Sequence, residues 1–191
     1  KANIVYRVAS SSSALGCSFS SPVSRVLECS NTQVAKALAS AHVPADKVIV
    51  IYNSRVYGGS AEAVSGKYAA SSLAVVDADL VAHELGHLMG LMDEYTYTEE
   101  VFTQVYGGYS PDARYSQCVG KVPPASWRTT AGPWSVWKTL PGVTWYKGCT
   151  GPSWARPSQT SIMAGTSKTF NAVSVKIIQD TLNQYYKASR Q

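Results

Sequence analysis

The chain has 191 residues, 45% of them hydrophobic and 15% charged, and a formal net charge of +5 at pH 7. That profile is globular rather than disordered, with room for one good core and too little chain for two comfortable domains. No apolar run approaches the roughly 20 residues a membrane-spanning helix needs, and Lys and Arg are scattered rather than clustered, which speaks against nucleic-acid and membrane partners.

The opening KANIVYRVAS lacks the basic segment and apolar block of a signal peptide, so Lys1 reads as the start of a mature or trimmed chain. Residues 2–9 alternate as a strand does, and 10–24 are Ser-rich and read as a loop. Residues 31–42 place Val34, Ala37, Leu38 and Ala41 on one helical face, with Asn31 or Thr32 as cap and Pro44 as stop. KVIVIY at 47–52 is an apolar β-branched run and reads as a buried central strand. Residues 56–76 hold Gly-rich turns and short β-prone pieces. A helix follows from Asp77, its cap, with Asp79 in the first turn, and ends at Gly90. Residues 106–170, which carry all five tryptophans, read as long loops with little regular structure. Residues 171–187 form a last amphipathic helix capped by Asn171, with Val175, Ile178, Leu182 and Tyr185 as its apolar stripe.

Four cysteines, Cys17, Cys29, Cys118 and Cys149, allow three pairings and contain no CxxC. Even number and wide spacing suggest disulfides in a secreted protein. The preferred pairs are Cys17–Cys29 and Cys118–Cys149, each closing a loop on one side of the HELGH segment. The alternative is four buried thiols in a cytosolic protein.

HELGHLMGLMD at 83–93 carries the chemistry. His83 and His87 are four apart on a helix, so both imidazoles lie on one face and can grip one ion. Glu84 projects to the side, where it can take a proton from water that the ion activates. The third histidine is His42, in the first helix, so the third ligand should be a carboxylate. Gly90 can end the helix and swing the chain sharply, which brings Asp93 back to the ion. Glu94 is the alternative, and Glu99 or Glu100 would serve only if the helix continued. Tyr95 could hydrogen-bond a tetrahedral oxyanion or simply pack; Tyr97, Tyr106 and Tyr109 stand near it in sequence. The tryptophans could bind a sugar, but tryptophan in long loops is more often the core that holds them down.

His83-Glu84-x-x-His87-x-x-Gly90-x-x-Asp93 resembles the long zinc motif of the metzincins, with Asp in place of the usual third His, as in the snapalysins. DEY at 93–95 and ARPSQTSIM at 155–163 are similar to the IgA-peptidase-like metalloproteases. The resemblance implies that Met163 is the Met-turn residue, an apolar floor beneath the zinc. Some metzincins carry a tyrosine two residues after that methionine; here the position is Gly165. The resemblance also implies one α+β catalytic domain over 1–191. Its upper subdomain, about 1–90, would hold a twisted mixed sheet and two helices. Its lower subdomain, about 91–191, would be irregular and end in a helix. Residues 67–76 would be the antiparallel edge strand that pairs with substrate. The expected activity is that of a secreted, extracellular, monomeric endopeptidase with one Zn²⁺, acting on proteins or peptides, possibly glycoproteins. The rival reading is a glycan- or glycoprotein-binding module on the same scaffold.

Overall fold

The computed structural model describes residues 13–19, 25–42, 45–61, 68–74, 78–106 and 117–188. The expected strand at 2–9, the Asp77 cap and Tyr109 lie outside them, as does the side chain of Tyr106. The fold is mixed α+β, and the chain divides into two compact units, Lys1–Leu88 and Met89–Gln191. No helix among the described residues is long and apolar enough to cross a membrane.

In the first unit, helix α1 spans Asn31–Ser40 and is followed by strands β1 (Val48–Tyr52), β2 (Gly59–Ala61) and β3 (Tyr68–Ser72), then helix α2 (Ala78–Leu88). The cap of α1 is Ser30, one residue before the expected pair: its Oγ accepts the Gln33 N–H. Serine at this position satisfies an orphan donor of the first turn. His42 follows the helix in the left-handed region, at φ 52°, and is exposed.

Among the described residues the sheet order is β1-β3-β2, with β3 parallel to β1 and antiparallel to β2. Two expectations are corrected here. β1 is not a fully buried strand: among the described residues it pairs only with β3, and Ile49 and Ile51 are 38% and 48% exposed. The segment expected at the edge, residues 67–76, supplies the middle strand instead, and the antiparallel strand at the end is β2. The physical reason is side-chain size. All of β3, YAASS, is buried, and its Ala and Ser side chains allow close cover on both faces where β-branched residues were expected. Tyr68 and Ala70 face a core of Leu27, Val34, Val50 and the Cys17–Cys29 disulfide. By alternation Ala69 and Ser71 face the other way, where α2 packs on β2 and β3. The Tyr68 hydroxyl donates to the Cys29 carbonyl at 2.6 Å and ties the disulfide segment to the sheet.

The second unit has more regular structure than its sequence suggests. Helix α3 occupies Glu99–Tyr106, and strands β4 (Tyr146–Cys149) and β5 (Gly151–Arg156) form an antiparallel hairpin. Thr98 starts α3: its carbonyl accepts the Phe102 N–H and Glu99 and Glu100 fill the first turn. The Phe102 ring meets Trp154 of β5 edge-on at 5.2 Å. Trp127, Trp134, Trp137 and Trp154 are all buried, so they hold the long loops down. The Cys118–Cys149 disulfide lies in the same core as Met92 and Trp154.

Helix α4 (Ala172–Ala188) is capped by Asn171, whose Oδ1 accepts the Ser174 N–H at 2.9 Å. Its buried stripe is not the expected one. Val173, Ser174 and Ile177 are buried, while Val175, Leu182 and Tyr185 are 40%, 49% and 39% exposed. Both rows obey helical spacing, so periodicity alone could not choose between them.

Candidate metal centre

α2 carries His83 and His87 on adjacent turns of one face, both half-buried. Their Nε2 atoms lie 3.2 Å apart. Gly90, at φ 91°, then reverses the chain. Leucine or alanine there would be strained, which is why the turn falls at a glycine. Past the turn, Asp93 is buried, and one ligand atom from each of His83, His87 and Asp93 lies within 4.8 Å of the others.

The donor set fits a zinc ion. Two imidazole nitrogens and a carboxylate oxygen are all ligands that zinc takes. Two nitrogens each bonded to one tetrahedral zinc at ordinary lengths sit about 3.3 Å apart, close to the 3.2 Å between the two Nε2 atoms here. Glu84 is buried on the same helix. Its carboxylate lies against β2: a Cβ built on Gly59 would come within 2.7 Å of Glu84 Oε1. A glycine at that point leaves the space the carboxylate uses.

The chain bends at Glu94 and Tyr95, and the side chains of Asp93, Tyr95 and Tyr97 are joined by hydrogen bonds while Glu94 bonds elsewhere. Tyr97 Oη donates to Asp93 Oδ2 at 2.7 Å, and Tyr95 Oη lies 2.9 Å from Tyr97 Oη. Thr150, at the hairpin tip, anchors the segment. Its N–H donates to the Tyr95 carbonyl, its carbonyl accepts the Tyr97 N–H, and its Oγ1 donates to the Asp93 carbonyl at 2.6 Å. Thr150 holds φ 54°, a costly conformation for a β-branched residue, and these bonds compensate it.

Glu94, the alternative ligand, is wholly buried and bonded elsewhere. Its Oε1 accepts from Asn171 Nδ2 at 2.6 Å and from Ser174 Oγ at 3.4 Å. Burial pushes its carboxyl up from 4.5 to about 7, against the pull of Asn171, Gln117, Ser174 and the Arg156 charge. Glu99 and Glu100 are exposed on α3.

Met163 is fully buried in a tight turn, Ile162–Ala164, that Ser161 opens and Gly165 closes in the left-handed region. Ser161 Oγ accepts the Met163 N–H at 3.0 Å. Arg156 donates to the carbonyls of Gly148 and Glu94.

A family model for IgA peptidase M64 matches residues 5–109, more than half the chain. The chain belongs to that family. The match contains His83, Glu84, His87 and Asp93, and stops before Met163. Membership makes this M64 protein a metallopeptidase acting on protein or peptide. No curated protein matches it. Its two disulfides are compatible with an extracellular setting.

Three features of this M64 site escape the sequence reading. The Asp93–Tyr97 bond is one, made across a bend at Glu94 and Tyr95 that the sequence does not announce. The contact between Gly59 and Glu84 and the anchoring by Thr150 are the others, and both depend on long-range packing that leaves no local mark.

Proposed function

We propose that this chain is a secreted, monomeric zinc endopeptidase of metzincin type. The observation that carries the reading is the convergence of His83, His87 and Asp93, with Glu84 buried on the same helix. His83 and His87 would hold Zn²⁺ through their facing Nε2 atoms, and Asp93 through its carboxylate. When bound, the ion supplies a lowered pKa for water and polarisation of the scissile carbonyl. Glu84 takes the proton from the attacking water and passes it to the leaving amine. Met163 forms the apolar floor of the site. Tyr95 is a proposed oxyanion partner, a role that requires its hydroxyl to leave Tyr97.

The test is metal content by mass spectrometry beside casein hydrolysis, for the wild type, Glu84→Gln and Asp93→Ala. The expected result is one zinc per wild-type chain with chelator-sensitive hydrolysis. Glu84→Gln should keep zinc and lose hydrolysis, and Asp93→Ala should lose both. Full activity in Glu84→Gln sinks the mechanism, and zinc retained in Asp93→Ala moves the third ligand elsewhere.

A further inference from the structure

We infer that Tyr97 is the positioning residue of the metal centre: its hydroxyl fixes the Asp93 carboxylate in the orientation that receives the ion. The inference rests on the reading of Asp93 as a ligand, and goes beyond it to a residue outside the metal-binding motif.

The geometry is a chain of hydrogen bonds. Tyr97 Oη reaches Asp93 Oδ2 at 2.7 Å, within the range of a charge-assisted bond to a carboxylate. An ionised carboxylate only accepts, so the tyrosine is the donor. A phenol has one proton. Tyr97 has given its own to Asp93, so Tyr95 Oη must donate across the 2.9 Å to Tyr97 Oη. The order is Tyr95 to Tyr97 to Asp93, with each bond polarising the next. The two rings also pack edge-to-face at 5.1 Å.

The backbone holds this chain in place. The Thr150 N–H and carbonyl bond to Tyr95 and Tyr97 respectively, so the hairpin tip grips both tyrosines from one side. Asp93 is itself short. With two side-chain torsions it has little reach, and its ligand oxygen is placed by rotation of the carboxylate. A bond at Oδ2 stops that rotation. Outer partners of this kind typically set metal affinity by tenfold to a hundredfold. In this arrangement the proton of Tyr95 is committed to the chain, so Tyr95 acts through Tyr97.

The experiment measures zinc affinity by competition with a chromophoric chelator for the wild type, Tyr97→Phe, Tyr95→Phe and Asp93→Asn. The cobalt-substituted visible spectrum and the unfolding midpoint of the chelated protein are recorded beside it. Tyr97→Phe removes one oxygen atom. The expected result is about tenfold to a hundredfold weaker zinc binding and an altered cobalt spectrum, with the metal-free midpoint close to wild type. Tyr95→Phe should give a smaller change in the same direction. Zinc affinity and cobalt spectrum unchanged in Tyr97→Phe, while Asp93→Asn loses zinc, overturn the inference and leave the metal site standing. A wild type that binds no zinc overturns the metal site and the inference with it. If Tyr97→Phe weakens zinc only in proportion to a lowered metal-free midpoint, the role is structural and the inference is also overturned.

Discussion

Glu94 donates its backbone N–H to the Met163 carbonyl at 2.8 Å. The residue after Asp93 is thereby pinned to the tight turn that buries Met163. Whatever shifts the turn shifts the segment carrying Asp93, which gives Met163 a mechanical role independent of any contact between its sulfur and an ion.

Substitution at Met163 separates those two possibilities. Met163→Leu conserves volume in a fully buried site and should cost less than about 1.5 kcal/mol. Met163→Ala leaves a cavity and should cost about 2–5 kcal/mol. Denaturant midpoints measure both. Zinc content should survive in the Leu variant, because the thioether is packing and not a ligand. Loss of zinc in Met163→Leu with normal stability would make the sulfur a ligand.

Gly59→Ala should disable Glu84 without touching a ligand. The added Cβ would lie 2.7 Å from Glu84 Oε1 and 3.0 Å from the Ala70 carbonyl. The strand backbone cannot yield as easily as the end of a flexible side chain, so the carboxylate moves. Displacing a catalytic group by about 1 Å costs on the order of 100-fold. The expected outcome is kcat/KM on a peptide substrate lowered by that order with zinc retained; wild-type turnover would mean that Glu84 is not held where β2 places it.

The two disulfides should differ in what they protect. Cys118–Cys149 spans 31 residues and Cys17–Cys29 spans 12, so chain entropy values them at about 4 and about 3 kcal/mol. Stability alone barely distinguishes them. Both sulfurs of the first, however, lie 3.5 Å from the Asp93 carbonyl oxygen. Replacing Cys118 and Cys149 by Ala should weaken zinc binding as well as lower the unfolding midpoint. Replacing Cys17 and Cys29 should lower the midpoint and leave zinc affinity nearer wild type. Equal zinc affinities in the two double variants would remove the special role of the first bridge.

The parts of the fold legible in the sequence are those written in local chemistry. His83, His87 and Gly90 announce a helix, a shared face and a reversal, and the fold keeps all three. Asn171 announces the start of α4. The parts that failed depend on partners far away in the chain. Ala69, Ala70 and Ser71 carry little hydrophobic signal, yet among the described residues β3 is the middle strand and wholly buried, because small side chains are what close packing on both faces requires. On α4, Val173 and Ile177 face the core and Leu182 faces solvent, although leucine is the stronger apolar signal. The hairpin of β4 and β5 hid behind Gly148, whose φ of 89° marks a bulge that interrupts strand alternation. The Asp93–Tyr97 bond is absent from the sequence signal, because it forms across the bend at Glu94 and Tyr95.

Glu94 gives the metal-free protein a stability that falls as pH rises. Its folded value of about 7 lies above its ordinary 4.5, with burial as the main cause. Below pH 4.5 both the folded and unfolded chains hold the proton, and no buried charge is present. Between 4.5 and 7 the unfolded chain releases the proton and the folded chain keeps it, so unfolding is favoured progressively. Above 7 the folded carboxyl ionises too and the loss stops growing, at roughly 3 kcal/mol. Glu94→Gln keeps the oxygen that accepts from Asn171 and Ser174 and cannot ionise. Urea unfolding of chelated wild type and chelated Glu94→Gln from pH 4.5 to 8 isolates this contribution, because every other group is common to both. The difference in stability between the two should move in favour of Glu94→Gln by that order between pH 4.5 and 7 and then level off. A constant difference across the range would mean that Glu94 is ionised throughout, held by Arg156 and its hydrogen bonds against the cost of burial.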